Sequence, residues 1–248
     1  SWFTLGGTST NLGYNVRWLL GHPQSGRWVE FVNDASDLIF HESMPQPDGF
    51  KEFRMDSIPT QHSVPSCAWQ LSRKGRKGVF DRDKAKLAGL SQEDCKLLSE
   101  GIDIEHTNGE MLQASQFRGP SRPAVSMILS GDTAEQAILT SGPVTVLIHE
   151  ATFLDDSADK AEAHLHSTAA GAARTALKCN ADNLILTHFS ARLRDVSQAI
   201  EEARQVLGKT YGLEAASDGD RVRIDENGHA SLLKSSQNGW VQHKLSHH

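Results

Sequence analysis

Short apolar runs separated by polar turns set the pattern of the second half of this chain. Three of them, at 124–129, 144–148 and 184–186, are long enough for strands and too short for buried helices. An Ala-rich stretch at about 167–178 follows Ser167 and Thr168, either of which can cap a helix. Asp195-Val196-Ser197-Gln198 reads as a capping box opening a second helix, with Ile200, Ala203, Val206 and Leu207 as its stripe and Gly208 as its stop. Strands alternating with helices predict an α/β fold in which a sheet is covered on one face or both.

The first half is less regular. Residues 2–20 predict two short strands around the turn Leu5-Gly6-Gly7-Thr8, and 27–41 give another apolar stretch ending Asp37-Leu38-Ile39-Phe40-His41. Phe53 and Met55 alternate with polar neighbours, predicting a half-buried strand that runs toward Gln61-His62-Ser63. Residues 73–101 differ from both. They open on Arg73-Lys74-Gly75-Arg76-Lys77-Gly78 and continue into a short helical pattern (Ala85, Leu87, Ala88, Leu97, Leu98) ending at Gly101. No repeat of 20–50 residues is present.

At 248 residues the chain can form one large domain or two small ones. No apolar run approaches the roughly 18 residues of a bilayer span, and the start lacks the basic and apolar stretches of a signal peptide, so no membrane is expected. Cys67, Cys95 and Cys179 are too dispersed for a thiolate metal site or a disulfide framework, which fits a cytoplasmic location. A net charge of −6 argues against a general polyanion binder. Residues 73–86, however, hold seven basic and two acidic side chains, a local balance of +5. Such a patch binds phosphate non-specifically and with strong salt dependence; it can equally be a charged surface hairpin.

Candidate chemistry sits where the three apolar runs end: Asp132, then His149 and Glu150, then His188. Ligands bind at strand ends in open α/β sheets, because side chains converge where backbone pairing stops. A carboxylate and imidazoles suit zinc or manganese. The plainer reading makes Asp132 a turn residue and His188 a buried, hydrogen-bonded one.

The order of four motifs narrows the choice. Ser-Gly-Asp-Thr (130–133), His-Glu-Ala-Thr-Phe (149–153), His-Ser-Thr-Ala (166–169) and Leu-Thr-His-Phe-Ser-Ala-Arg (186–192) together resemble the downstream motifs of tRNase Z, the tRNA 3′-processing endonuclease family. Ala-Ala-Ser-Asp-Gly (215–219) is similar to that family's ending. Gln61-His62-Ser63-Val64-Pro65 resembles the segment carrying its middle metal histidine, and Lys77-Gly78 the start of its tRNA-binding arm. The resemblance implies a metallo-β-lactamase-like αββα sandwich over 1–248, incomplete at its N-terminal half, with a basic arm inserted at 72–101. It implies two zinc ions, or manganese, with His62 on one ion, His188 on the other and Asp132 between them. It makes His166 the proton donor, partnered by Glu150, and starts a helix at Ser167 and Thr168 with its positive end near phosphate. It assigns Ser190, Arg192, Arg73, Lys74, Arg76 and Lys77 to the substrate. His149 is expected to brace the strand edge by a hydrogen bond.

One departure is large. The family's H-x-H-x-D-H motif, which supplies most of the dinuclear site, is missing, and His164-Leu165-His166 cannot stand in for it. Either the motif lies outside the chain given, or the chain is a degenerate relative, or residues such as His22, Asp34, Asp37 and His41 replace it. Three functions follow: an endoribonuclease removing 3′ trailers from precursor tRNA, a phosphodiesterase on small or cyclic nucleotides, or an RNA-binding relative without activity. The resemblance also implies a homodimer.

Overall fold

The computed structural model describes residues 16–22, 24–32, 37–136, 138, 140 and 142–245. The expected turn at Leu5–Thr8, Asp34, His247 and His248 lie outside the described residues. Strands β1 (Arg17–His22), β2 (Arg27–Val32) and β3 (Ile39–His41) form an antiparallel three-stranded sheet. Trp28 is its anchor: buried, and packed edge-on against Trp69 at 6.0 Å between ring centroids. Strands β4 (Phe53–Thr60) and β5 (Ser66–Arg73) then pair antiparallel along their full length and join the main sheet.

Residues 74–124 leave that sheet and return to it as a small module. It holds α1 (Arg82–Leu87), α2 (Gln92–Glu100), β6 (Ile104–Glu105), β7 (Met111–Leu112) and a 3-10 turn at Ala114–Phe117. Ala85, Leu98, Ile104, Leu112, Ala114 and Phe117 give it a core of its own. The helical pattern read at 73–101 is thus two helices. The second begins at Ser91, whose side chain forms a capping box with Asp94, and ends at Gly101 in the left-handed conformation. The module runs about twenty residues past the basic segment, because its last strands and turn carry little positive charge. Its two connecting strands cross as a narrow stalk, with isolated bridges Arg76↔Arg122 and Phe80↔Arg118.

The rest builds the main sheet and its cover. In chain order come β8 (Val125–Leu129), β9 (Val146–Glu150), α3 (Ala158–His164), α4 (Ala169–Lys178), β10 (Asn183–Thr187), α5 (Ser197–Leu207) and β11 (Gly212–Ala215). The six-stranded order is β11-β10-β9-β8-β5-β4, and β8 to β11 run parallel. Central parallel strands are buried on both faces, which is why they read as unbroken apolar runs. Leu147, Leu184 and Leu186 face the helices; Val146 and Ile185 face the opposite way. On the helix side Ala169, Ala172, Ala173 and Ala176 of α4 are fully buried or nearly so. Their small side chains let the helix lie close to the sheet at no cost in rotamer entropy. The other face is covered by β12 (Arg221–Ile224), β13 (Ala230–Ser236) and β14 (Gly239–Lys244), through Ala230, Leu232 and Leu245. The expected αββα sandwich is therefore present as its αββ layers among the described residues. None of their helices is long and apolar enough to cross a membrane.

The stalk gives a direct test of this architecture. At Gly78 a Cβ would run into the carbonyl oxygen of Gly119, a backbone atom that cannot swing aside. Gly78→Ala should therefore force the stalk strands apart at a cost of about 1–3 kcal/mol. Hydrogen exchange should quicken at residues 76–122 and stay unchanged at β9 and β10.

Candidate active site

Three parallel neighbours, β8, β9 and β10, end at the same edge of the sheet, with Thr187 opposite Glu150 and Leu129 opposite Ile148. Beyond them the chain turns sharply. Gly131 is left-handed (φ 62°), and a Cβ there would lie 2.9 Å from the Cys67 carbonyl oxygen, so only glycine brings Asp132 over the edge this closely. His188 takes the left-handed region as well (φ 57°), which costs a side chain about 1–2 kcal/mol. A non-glycine residue held there next to other polar groups marks a functional site more often than a loose turn.

Glu150 organises what surrounds it. It is 1% exposed, and its carboxylate accepts from four donors. Oε1 takes the Thr133 amide (2.6 Å) and His166 Nδ1 (2.7 Å); Oε2 takes the Thr152 hydroxyl (2.6 Å) and the Ser167 amide (3.1 Å). These bonds replace the water the buried group has lost. They also fix His166, whose Nδ1 is committed to Glu150 and whose Nε2 is left for chemistry. The Thr152 hydroxyl, having given its hydrogen to Glu150, accepts from His188 Nδ1 at 2.9 Å. That turns His188 Nε2 toward Asp132, 3.5 Å from its Oδ1.

His62 arrives from the β4–β5 loop. Its Nδ1 donates to the Leu165 carbonyl at 3.0 Å, and Leu165 ends α3 in the left-handed region (φ 55°). The His62 and His166 rings meet edge-to-face at 4.8 Å, and His166 stacks on His188 at 5.5 Å. Donor atoms of His62, Asp132 and His166 all lie within 4.8 Å of one another, as do those of Glu150, His166 and His188. Glu150 is a poor ligand despite that proximity, since its oxygens are already bonded by four donors. His62, Asp132 and His188 do not form one of these clusters, but Asp132 links the two histidines: it lies within 4.8 Å of His62 in the first cluster and 3.5 Å from His188 Nε2. Each imidazole has its Nδ1 bonded to an oxygen, the arrangement that orients metal-binding histidines. Two nitrogens and a carboxylate suit zinc or manganese and leave coordination positions open.

The remaining candidates are spread more widely. Ser190 and Arg192 line a cleft of about 350 Å³ that reaches Thr152. Arg73 ends β5, with Nε and one terminal nitrogen buried and unpartnered among the described residues. Lys74 is exposed, Arg76 pairs with Glu52 at 2.9 Å, and Lys77 Nζ donates to the Glu100 carbonyl at 3.2 Å. His41 is bound to Glu30 (2.9 Å) in the N-terminal sheet, and neither it nor His22 nor Asp37 belongs to the clusters above. The start of α4 is occupied from within the chain. Thr168 accepts from Gly171, Glu202 from the Ala170 amide (2.8 Å) and Glu150 from the Ser167 amide, so carboxylates take the place expected for phosphate. His149 is fully buried, its Nδ1 2.7 Å from the Glu150 carbonyl oxygen and its Nε2 without a partner among the described residues. Sequence reasoning missed Thr152, although it lies two residues after Glu150 within a quoted motif. It also missed the Leu165 carbonyl and the Thr133 amide, which being backbone groups leave no signature.

Two outcomes follow from these bonds. Glu150→Gln replaces an acceptor oxygen by an amide NH2, itself a donor facing donors, and thermal unfolding should show a loss of about 1–3 kcal/mol. Burial holds the His149 pKa below the ordinary 6.5. As pH falls below 6.5 the unfolded chain takes up that proton before the folded one, so stability present above pH 6.5 is lost below it. In melting scans from pH 7.5 to 5, His149→Gln should flatten this decline.

No family model matches the chain. It is 33% identical over 205 residues to a ribonuclease Z of Prochlorococcus marinus (strain NATL1A), covering 79% of this chain and 63% of that protein. It is 36% identical over 171 residues to a ribonuclease Z of Halalkalibacterium halodurans, covering 68% and 53%. The chain thus spans less than two thirds of these relatives' own length. Among solved structures it aligns with YhfI of Bacillus subtilis, a metallo-beta-lactamase fold protein, at a TM-score of 0.43 and 18% identity, over 70% of this chain and 51% of that one. By its sequence identity with these relatives, and by the ordered motifs that meet at one sheet edge, the chain is related to the ribonuclease Z (tRNase Z) proteins it matches.

Proposed function

We propose that this chain works as a metal-dependent endoribonuclease that removes the 3′ trailer from precursor tRNA, in the cytoplasm. The observation carrying this reading is the pair Glu150–His166, bonded at 2.7 Å, with His62 and Asp132 within ligand distance of it. His62, Asp132 and His188 would hold the metal, zinc or manganese. When bound, such an ion supplies an activated water near neutral pH and charge neutralisation on the phosphodiester.

The chain's own groups account for the rest. His166, held by Glu150, keeps a proton on Nε2 for the oxygen that leaves the phosphorus, and the carboxylate stabilises the imidazolium before transfer. Arg192 and Ser190 bind phosphate from the adjoining cleft. Lys74, Arg76 and Lys77 grip tRNA away from the cut. The folded module on its stalk supports tRNA over a small diester, which would need no such module.

Cleavage of a precursor tRNA with added zinc or manganese tests the reading. His166→Ala should lower kcat by about 10²- to 10⁴-fold, while neutralising Arg76 and Lys77 should raise KM for tRNA and leave hydrolysis of a nitrophenyl diester unchanged. Turnover of the small diester alone would replace this reading with the small-substrate phosphodiesterase. Metal bound without any turnover would leave an RNA-binding relative.

A further inference from the structure

The cleft beside Thr152 carries more positive charge than the assigned residues explain. Lys160 of α3 and Arg194 of the β10–α5 loop line it together with Arg192, against one carboxylate, Asp156. All three cations are exposed, and none forms an ion pair among the described residues. Several other arginines are ion-paired: Arg174 with Glu135, Arg54 with Asp56, Arg122 with Glu226. Three unpaired cations around one concave surface repel each other, and an anionic ligand relieves that repulsion.

Position gives the ligand its class. At the inner end Thr152 bonds both Glu150 and His188, so the cleft opens directly onto the catalytic edge. Phe153 forms part of its wall, with its ring 6.2 Å from that of His166. Leu154 and Leu193 add apolar surface, and Gln198 adds an amide. Cations that bind a phosphate backbone beside an aromatic ring are the ingredients of a single-strand nucleic-acid subsite.

We infer that this cleft holds an unpaired nucleotide flanking the scissile phosphate, with Lys160 and Arg194 as positioning residues for its phosphate. The inference rests on the phosphodiester reading above and deepens it. Neither residue touches the reacting atoms. They fix where the strand enters, and the effect falls on binding.

The test measures binding apart from turnover. A fluorescein-labelled single-stranded tetranucleotide RNA is titrated with the chain in EDTA and followed by anisotropy. The double variant Lys160→Ala/Arg194→Ala should raise Kd about tenfold at 50 mM salt. It should also lower the slope of log K against log salt by about 1.4, at roughly 0.7 per phosphate on a single strand. Both side chains are exposed, so melting temperature should not move. Because the titration is made in EDTA and reads no turnover, its failure is distinct from a failure to cleave precursor tRNA. An unaltered Kd in the double variant, or no salt-dependent binding by the unsubstituted chain, would overturn the proposal.

Discussion

A carboxylate with almost no access to water organises the functional edge of this protein. Glu150 sits at the end of a largely buried strand, and its four hydrogen bonds come from Thr133 in the turn after β8, from Thr152 two places on, and from the adjacent His166 and Ser167 that precede α4. A buried charge is tolerated only when such donors are in place. The bonds therefore act in both directions. They make the carboxylate stable where it is, and the carboxylate draws the turn after β8 and the approach to α4 to the end of β9. Thr152 then passes the constraint to His188, and Leu165, the residue before His166, passes it to His62.

The sheet makes this convergence geometrically cheap. Parallel strands in adjacent positions end at one edge, and the loops that follow start within a strand spacing of each other. Local conformations complete the placement. A glycine lets the backbone turn tightly against Cys67, while His188 and Leu165 occupy left-handed conformations that the surrounding bonds hold. The module at 74–124 follows the opposite logic. With its own core and a stalk narrow enough to require glycine at Gly78, it is built apart from the catalytic edge.

Much of this edge was readable in the sequence because each strand in it is buried on both faces. Apolar runs that give way to Asp132, Glu150 and His188 mark where the strands end, which is where side chains of an open α/β sheet converge. Less was readable where the determining group is backbone or where alternation is weak. The carbonyl that orients His62 belongs to a leucine, and the β12–β14 sheet shows only half-buried positions such as Val222 and Ile224. Charge was the least specific signal. The run at 73–86 suggested either phosphate binding or a charged surface hairpin; Arg76 pairs with Glu52, Lys77 donates to the Glu100 carbonyl, and Lys84 reaches the Gln116 carbonyl (2.7 Å) and lies over Phe117.

That contrast bears on how the two charged regions should be weighed. A basic side chain already bonded to its own fold gives up that bond, or shares it, when it meets phosphate, which reduces what the contact can contribute. An unpaired cation has no such competition. On the proposed reading, Arg76 and Lys77 are suited to a diffuse, salt-screened attraction for tRNA, whereas Lys160, Arg192 and Arg194 are suited to a positioned contact. The difference in chemistry matches the difference in location. Attraction can act at a distance on a separate module, but a strand that is to be cut must be held at the edge where Glu150 fixes His166.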